Sequence, residues 1–366
     1  MPPLASAPQP VQKQAPETRP FDERLPKGRV GFVTLVSLLV IALVTVVLFS
    51  LATGAVRVSP GAILAALLGH HHPLTETQQI ILLQIRLPRV LASAVVGAAL
   101  AISGLMFQGL FRNPMADPYV IGSSGGAVLG ACLGIFFFSQ LSFLGFSATA
   151  LLAFAGSVIT MAIVYSLARS NGRTNVITLL LAGFAVSTML GYSSYFFEIL
   201  GNRSGSTQIL LSWLHGVIGI PHWTQLSVTA ALLLLAIVAA MPLMRRLNTL
   251  ALGDEYAHQL GIKVEYTRVG IILTGSLLTA AAVSLGGLIS FAGLIVPHVA
   301  RLLLGPDHVR LLPVTALSGA IFLVVADTLA RSVFAPTEIP VGILMAFIGG
   351  PFFLYLLRKT KRSYVL

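Results

Sequence analysis

A chain of 366 residues that is 56% hydrophobic and only 10% charged, with a mean hydropathy of +0.89, is too apolar for a soluble domain, where charged residues make up about a quarter. It reads as an integral membrane protein. The net charge of +11 would suit a nucleic-acid binder, but the bases cluster at the ends of apolar segments rather than in a patch interleaved with aromatics, and the single cysteine, Cys132, excludes an intrachain disulfide.

Residues 1–29, rich in Pro, Gln and Ala, read as a disordered cytoplasmic tail. The apolar run after Arg29 has the length of a full span and no clear small-residue cleavage site follows it, which argues against a signal peptide. Apolar segments then recur at 30–51, 90–111, 119–139, 144–168, 176–197, 223–244, 269–285, 288–303, 311–331 and 339–357, most of them of the ~17 to 25 residues that a tilted helix needs to cross a bilayer. The seventh and eighth are short and separated only by Gly286 and Gly287. Residues 30–358 are therefore expected to form an all-α transmembrane domain, a polytopic bundle of ten helices, with 359–366 as a second cytoplasmic tail.

With the N-terminus in the cytoplasm, the loops 112–118, 169–175, 245–268 and 301–310 and the C-terminus lie inside. Of the 23 Lys and Arg residues, 18 then fall inside and 5 outside, the asymmetry expected of a multi-pass membrane protein with both termini cytoplasmic. The outer five are Arg57, Arg86, Arg89, Arg203 and Arg331. Arg86 and Arg89 belong to RLPR at the expected start of the second span, where Pro88 suits the first turn of a helix. Arginines gathered on one outer face can clamp a partner's carboxylates or anchor to lipid headgroups, and both readings stay open on the residues alone.

Glycines and alanines at Gly97, Ala98, Gly104 and Gly109, and again at Gly122, Gly125, Gly126 and Gly130, recur at close to helical spacing, which lets helices pack backbone to backbone. A weak echo between SGLMFQGL (103–110) and GGLISFAGL (286–294) hints at an internal duplication. RNPMADP (112–118) packs two prolines, an Asn and an Asp into a short turn, leaving Asn113 and Met115 near the mouth of any central path. The polar stretch 245–268 carries three acids and four bases. Within it LGDEYAHQLG reads as a short helix with Asp254 and Glu255 in its first turn, where the helix dipole favours acids, and Gly261 at its end.

What is missing narrows the function. No GxxxxGK[ST] phosphate loop occurs, so the chain is not expected to hydrolyse ATP itself. The spans hold no acid or base near their centres, Asp327 and Glu198 lying toward outer ends, which disfavours an ion-coupled secondary transporter, the alternative reading. The run His70 to His72 has only Glu76 nearby and no ligand spacing, and reads as a solvated loop rather than a metal site. His298, after Pro297, reads as structural.

Five stretches in order carry a resemblance: RLPRVLASAVVGAALAISG (86–104), FRNPMADPYVIGSSGGA (111–127), LALGDEYAHQLG (250–261), GLISFAGLIVPHVARLL (287–303), and DTLAR followed by TEIPVGI and GGPFFLYLL. Together they resemble the permease subunits of binding-protein-dependent ABC importers for ferric siderophores, haem and cobalamin, over nearly the whole of 30–358. The resemblance implies a homodimer of ten-helix subunits in the inner membrane, two ATP-binding subunits on the cytoplasmic face and an extracytoplasmic substrate-binding protein. No cofactor is then expected on this chain, ATP and Mg belonging to the partner ATPase. It further implies that Leu252, Gly253, Asp254, Glu255, Ala257, Leu260 and Gly261 form the ATPase-coupling helix, that Arg86, Arg89 and Arg331 dock the binding protein, and that Asn113 and Met115 form a cytoplasmic gate. A second gate near 175–177 matches less clearly. Among cargoes, ferric siderophore ranks first, then cobalamin and haem.

Overall fold

The computed structural model describes residues 29–54, 56, 58–68, 74–143, 145–170, 173–201, 205–333 and 337–361. The N-terminal tail before Arg29, the His70 to His72 run, Arg57 and Arg203 lie outside the described residues. Helix α1 (Arg29–Ala52) is the first span. After it comes a connector helix, α2 (Pro60–Leu67), whose N-cap Ser59 accepts the Ala62 N–H.

The next rod starts well before the expected position near residue 90. Thr75 and Gln78 form a reciprocal capping box at the start of α3 (Glu76–Ile80). A π-helical stretch carries Ile81–Arg86, and α4 (Leu87–Leu110) completes an apolar helical run of 35 residues. Pro88 thus sits inside a helix rather than at its start. Its ring and missing N–H are incompatible with a regular bond to the Gln84 carbonyl, and the chain just before it is wound wide, with the Leu87 N–H reaching back to Leu82 O.

Beyond α4 a 3-10 turn (Pro118–Ile121) and left-handed Gly122 (φ +90°) lead into α5 (Ser123–Phe137). Strands β1 (Ser142–Phe143) and β2 (Phe146–Ser147) make a small antiparallel hairpin before α6 (Ala148–Ala168), and β3 (Arg169–Ser170) and β4 (Arg173–Thr174) make another before α7 (Val176–Gly201). The chain continues through α8 (Ser206–Leu214), α9 (Trp223–Leu250), α10 (Asp254–Gln259), α11 (Val264–Gly286), α12 (Ala292–Leu304), α13 (His308–Ser332) and α14 (Val341–Lys361).

All ten expected segments are helical, but they are unequal. Eight helical runs among the described residues are long and apolar enough to cross a membrane. α5 and α12, with 15 and 13 residues, are not: at 1.5 Å per residue they span only about 20 Å of a ~30 Å hydrocarbon core. The expected third span opens in the 3-10 turn, and the eighth opens in the non-helical segment 287–291, bounded by left-handed Gly287 (φ +67°) and Phe291 (φ +68°). Irregular backbone is tolerated at membrane depth where protein satisfies its polar groups, and here the two irregular stretches serve each other. The Tyr119 hydroxyl donates to Ile289 O and accepts from Ile289 N, both at 3.3 Å.

α4 is the hub, packed against α9, α11, α12 and α13, and nearly all of it is buried. Small residues make this possible. A Cβ on Gly104 would lie 1.7 Å from Gly293 O, and one on Gly97 2.2 Å from Gly319 O, so α4 meets α12 and α13 backbone to backbone. The alternation of the helices sorts the polar residues to two ends. Ser50, Arg89, Asp327, Arg331 and Glu338 meet at one. Arg112, Asp254, Arg268 and Thr174 meet at the other, with the Leu250 carbonyl.

Candidate functional site

The charged connector begins later than its sequence suggests, because nothing in RRLNTL breaks a helix and α9 runs on through Arg245 and Arg246 to Leu250. The free loop shortens to 251–263 and holds α10, which covers Asp254–Gln259 and is shorter than the expected LGDEYAHQLG. Gly253 (φ +124°) is its N-cap, Asp254 and Glu255 occupy its first turn, and Gly261 (φ +79°) ends it, with Ile262 N–H donating to Ala257 O at 2.9 Å. Ala257 is fully buried in the main core cluster, which also holds Leu247 and Leu250. On the outer side of this short helix the opposite holds: Leu252, Tyr256 and Leu260 are 66%, 64% and 66% exposed. Exposed apolar side chains are ordinary on lipid-facing helices, but these stand in a loop flanked by charges, where lipid does not account for them.

Asp254 is also the centre of an ion-pair cluster. Its Oδ1 takes Arg112 Nη2 at 3.0 Å, and its Oδ2 takes Arg268 Nη2 at 2.5 Å. Arg112 Nη2 reaches Leu250 O as well, at 2.5 Å. Arg268 Nη1 donates to Thr174 O at 3.4 Å and lies 4.0 Å from Glu265, whose carboxylate accepts from both the backbone N–H and the hydroxyl of Thr174. Sequence reasoning placed Asp254 in the coupling helix but missed both arginine partners. Arg112 was legible as part of RNPMADP; that it meets Asp254 was not, because 142 positions separate them.

The loop after α4 starts on Arg112 itself, a non-glycine in the left-handed region (φ +49°). The carboxamide oxygen of Asn113 accepts Met115 N–H at 2.9 Å, leaving Asn113 exposed and Met115 packed against the cluster of Leu294, Ile295 and Leu356. Asp117 accepts from the Tyr119 and Phe291 backbone N–H groups, yet burial outweighs them and pushes its carboxyl up to about 6. The loop before α7 is built alike, Asn175 Oδ1 accepting from Ile177 N and Thr178 N. Arg112, Val176, Asp254 and Arg268 share a cavity of about 220 Å³, so the two loops and α10 meet at one place.

At the opposite end the three arginines singled out from sequence are turned inward. Arg86 is buried and donates to the carbonyls of Leu51 at 2.8 Å and Val56 at 2.5 Å. Arg89 bridges buried Asp327 at 3.1 Å and half-exposed Glu338 at 2.8 Å. Arg331 binds the other oxygen of Asp327 at 3.0 Å and Ser50 Oγ at 2.9 Å. The Asp327–Arg331 pair has the i,i+4 spacing visible in DTLAR; the pairings to Arg89 are tertiary.

Comparison with known proteins gives this geometry a setting. Similarity extends over 78% of the chain to the cobalamin import system permease protein BtuC of Halobacterium salinarum, at 45% identity and covering 75% of that protein. The hemin transport system permease protein HmuU of Yersinia pestis is 42% identical over 77% of the chain and 84% of its own length. Among solved structures, an inward-facing metal-chelate type ABC transporter superimposes with a TM-score of 0.76 at 32% identity, covering 89% of this chain and 99% of that one. The profile of the FecCD transport family matches residues 40–359, and the chain, an all-α multi-pass membrane protein, belongs to that family of ABC transporter permeases.

Proposed function

We propose that this chain is the membrane-spanning subunit of an ATP-driven importer, working as a homodimer in the cytoplasmic membrane with both termini inside. Two ATPase subunits, which carry the ATP and Mg, sit on the Asp254 end, and a substrate-binding protein docks at the Arg89 end. The observation that carries the reading is the exposed apolar face of α10: Leu252, Tyr256 and Leu260 project from a charged loop while Ala257 seats the helix on the core. A short helix presented in this way supplies the apolar centre of a small protein interface. The chain itself contributes no catalysis.

The cargo in this proposal is a metal-bearing macrocycle, haem or cobalamin, ahead of the ferric siderophore that the sequence ranks first. Support comes from the 45% and 42% identity to permeases named for cobalamin and hemin. Asn113 and Met115 are assigned to the inner gate, and Arg86, Arg89 and Arg331 to docking. Of these, Arg89 is the one whose present partner, half-exposed Glu338, a binding-protein carboxylate can displace.

The test is reconstitution with the cognate ATPase and binding protein, following ATP-driven uptake of cyanocobalamin, haemin and a ferric hydroxamate. Leu260→Asp is expected to release the ATPase and abolish uptake. Retention of both, or uptake driven by a proton or sodium gradient without ATP, overturns the proposal. Preferred uptake of the hydroxamate overturns only the cargo assignment.

A further inference from the structure

We propose that the Arg112–Asp254–Arg268 cluster is a relay that ties the coupling helix to both loops at the inner mouth, with Arg112 and Asp254 as positioning residues. The inference rests on the reading of α10 as the ATPase contact and adds how a push on that helix reaches the path.

Three observations converge. Asp254 spends both carboxylate oxygens on different neighbours: Arg112 at 3.0 Å, which opens the loop bearing Asn113 and Met115, and Arg268 at 2.5 Å, which holds the Thr174 carbonyl next to Asn175. Charge balances within the cluster, two guanidinium groups against Asp254 and Glu265, so each member has a defined partner rather than a diffuse field. Arg112 is held in a left-handed backbone conformation, φ +49°, which a non-glycine residue keeps only when its surroundings impose it. Here the side chain is anchored to Leu250 O and Asp254, immediately before and at the start of α10.

Displacement of α10 therefore pulls on the first loop through the 3.0 Å Arg112 pair and on the second through Arg268, which is held to Asp254 at 2.5 Å and reaches Thr174 O at 3.4 Å. The Arg112–Asp254 pair is half-exposed and contributes little to global stability, so Arg112 can be altered without unfolding the subunit. The cavity of about 220 Å³ enclosed by Arg112, Val176, Asp254 and Arg268 leaves room for the three elements to shift relative to one another.

The experiment uses the full reconstituted transporter and compares uptake of cyanocobalamin, or of haemin if that is the cargo taken up, with ATP hydrolysed. Arg112→Asn removes the guanidinium but suits a left-handed backbone. It is expected to keep the ATPase subunits bound while uptake per ATP falls at least tenfold; Arg112→Lys, which keeps the charge, is expected to recover most of it. Asp254→Asn combined with Arg112→Asn is expected to be no worse than the poorer single variant, as for two parts of one linkage. Uptake per ATP within twofold of the parent in Arg112→Asn, or losses that multiply in the double variant, overturns the relay. If Leu260→Asp leaves ATPase binding and uptake intact, the coupling-helix reading fails instead, and the two failures are told apart.

Discussion

Arg89 and Asp327, 238 positions apart, meet at 3.1 Å in the interior of one end of the bundle. The same carboxylate takes Arg331 on its other oxygen, so one buried acid pairs with two arginines on different helices, and Glu338 supplies the second negative charge. This is a costly arrangement to disturb, since an unpaired charge left in a protein interior loses both hydration and partner.

Asp327→Ala is therefore expected to destabilise the subunit by about 3 kcal/mol or more, the range for breaking a buried ion pair. The check is thermal unfolding in detergent, with Asp327→Asn, which keeps one acceptor, falling in between. An unaltered Tm for the alanine variant would show that Arg89 and Arg331 find other partners.

Gly104→Ala should fail to assemble. The added methyl lies 1.7 Å from Gly293 O, a backbone atom that no rotamer change can move aside. Overpacking of this kind costs typically 1–3 kcal/mol where side chains can yield, and more where they cannot. Gly350→Ala, where a Cβ meets nothing within 4 Å, serves as control. Monodisperse yield after purification is the measurement, and equal yields for the two would contradict the backbone-to-backbone contact.

Docking at the Arg89 end predicts opposite effects from two neighbours. Arg89→Glu should weaken binding-protein affinity more than tenfold, in a way that shrinks as salt is raised. Glu338→Gln should strengthen it, by no more than several-fold, because a half-exposed pair contributes about 0–1 kcal/mol. Titration of the binding protein onto the purified transporter decides the matter; if both variants bind like the parent, the arginines serve only to brace α4 against α13.

Asp117 predicts a pH dependence. Its carboxyl, raised by burial from 3.8 to about 6, is protonated in the fold over a range where the unfolded chain is ionised. The stabilisation is complete below pH 3.8 and is lost as pH rises through about 6. The parent should thus lose stability between pH 3.8 and about 6 relative to Asp117→Asn, which carries no titrating group. Parallel melting profiles of the two proteins over that window would contradict the assignment.

Much of this protein was legible in its sequence for a simple reason. Partition into lipid depends on local composition, so run length and the placement of bases suffice to find the segments, and ten were found. The capping pattern of LGDEYAHQLG likewise located α10. Even the missed start of the second rod had a local signal, the Thr75–Gln78 capping box. Tertiary structure decided what no window contains. That α5 and α12 are too short to cross a bilayer follows from left-handed turns at Gly122, Gly287 and Phe291, stabilised by Tyr119 reaching Ile289 across 170 positions. That Ala257 faces inward while Leu260 faces out depends on where α10 rests. The arginines show the division most clearly: charge counting placed Arg86, Arg89 and Arg331 at one end of the spans, but that Arg86 meets backbone carbonyls while Arg89 and Arg331 share Asp327 is set by how the helices pack, because an ion pair needs its two groups within about 4 Å and sequence distance says nothing of that.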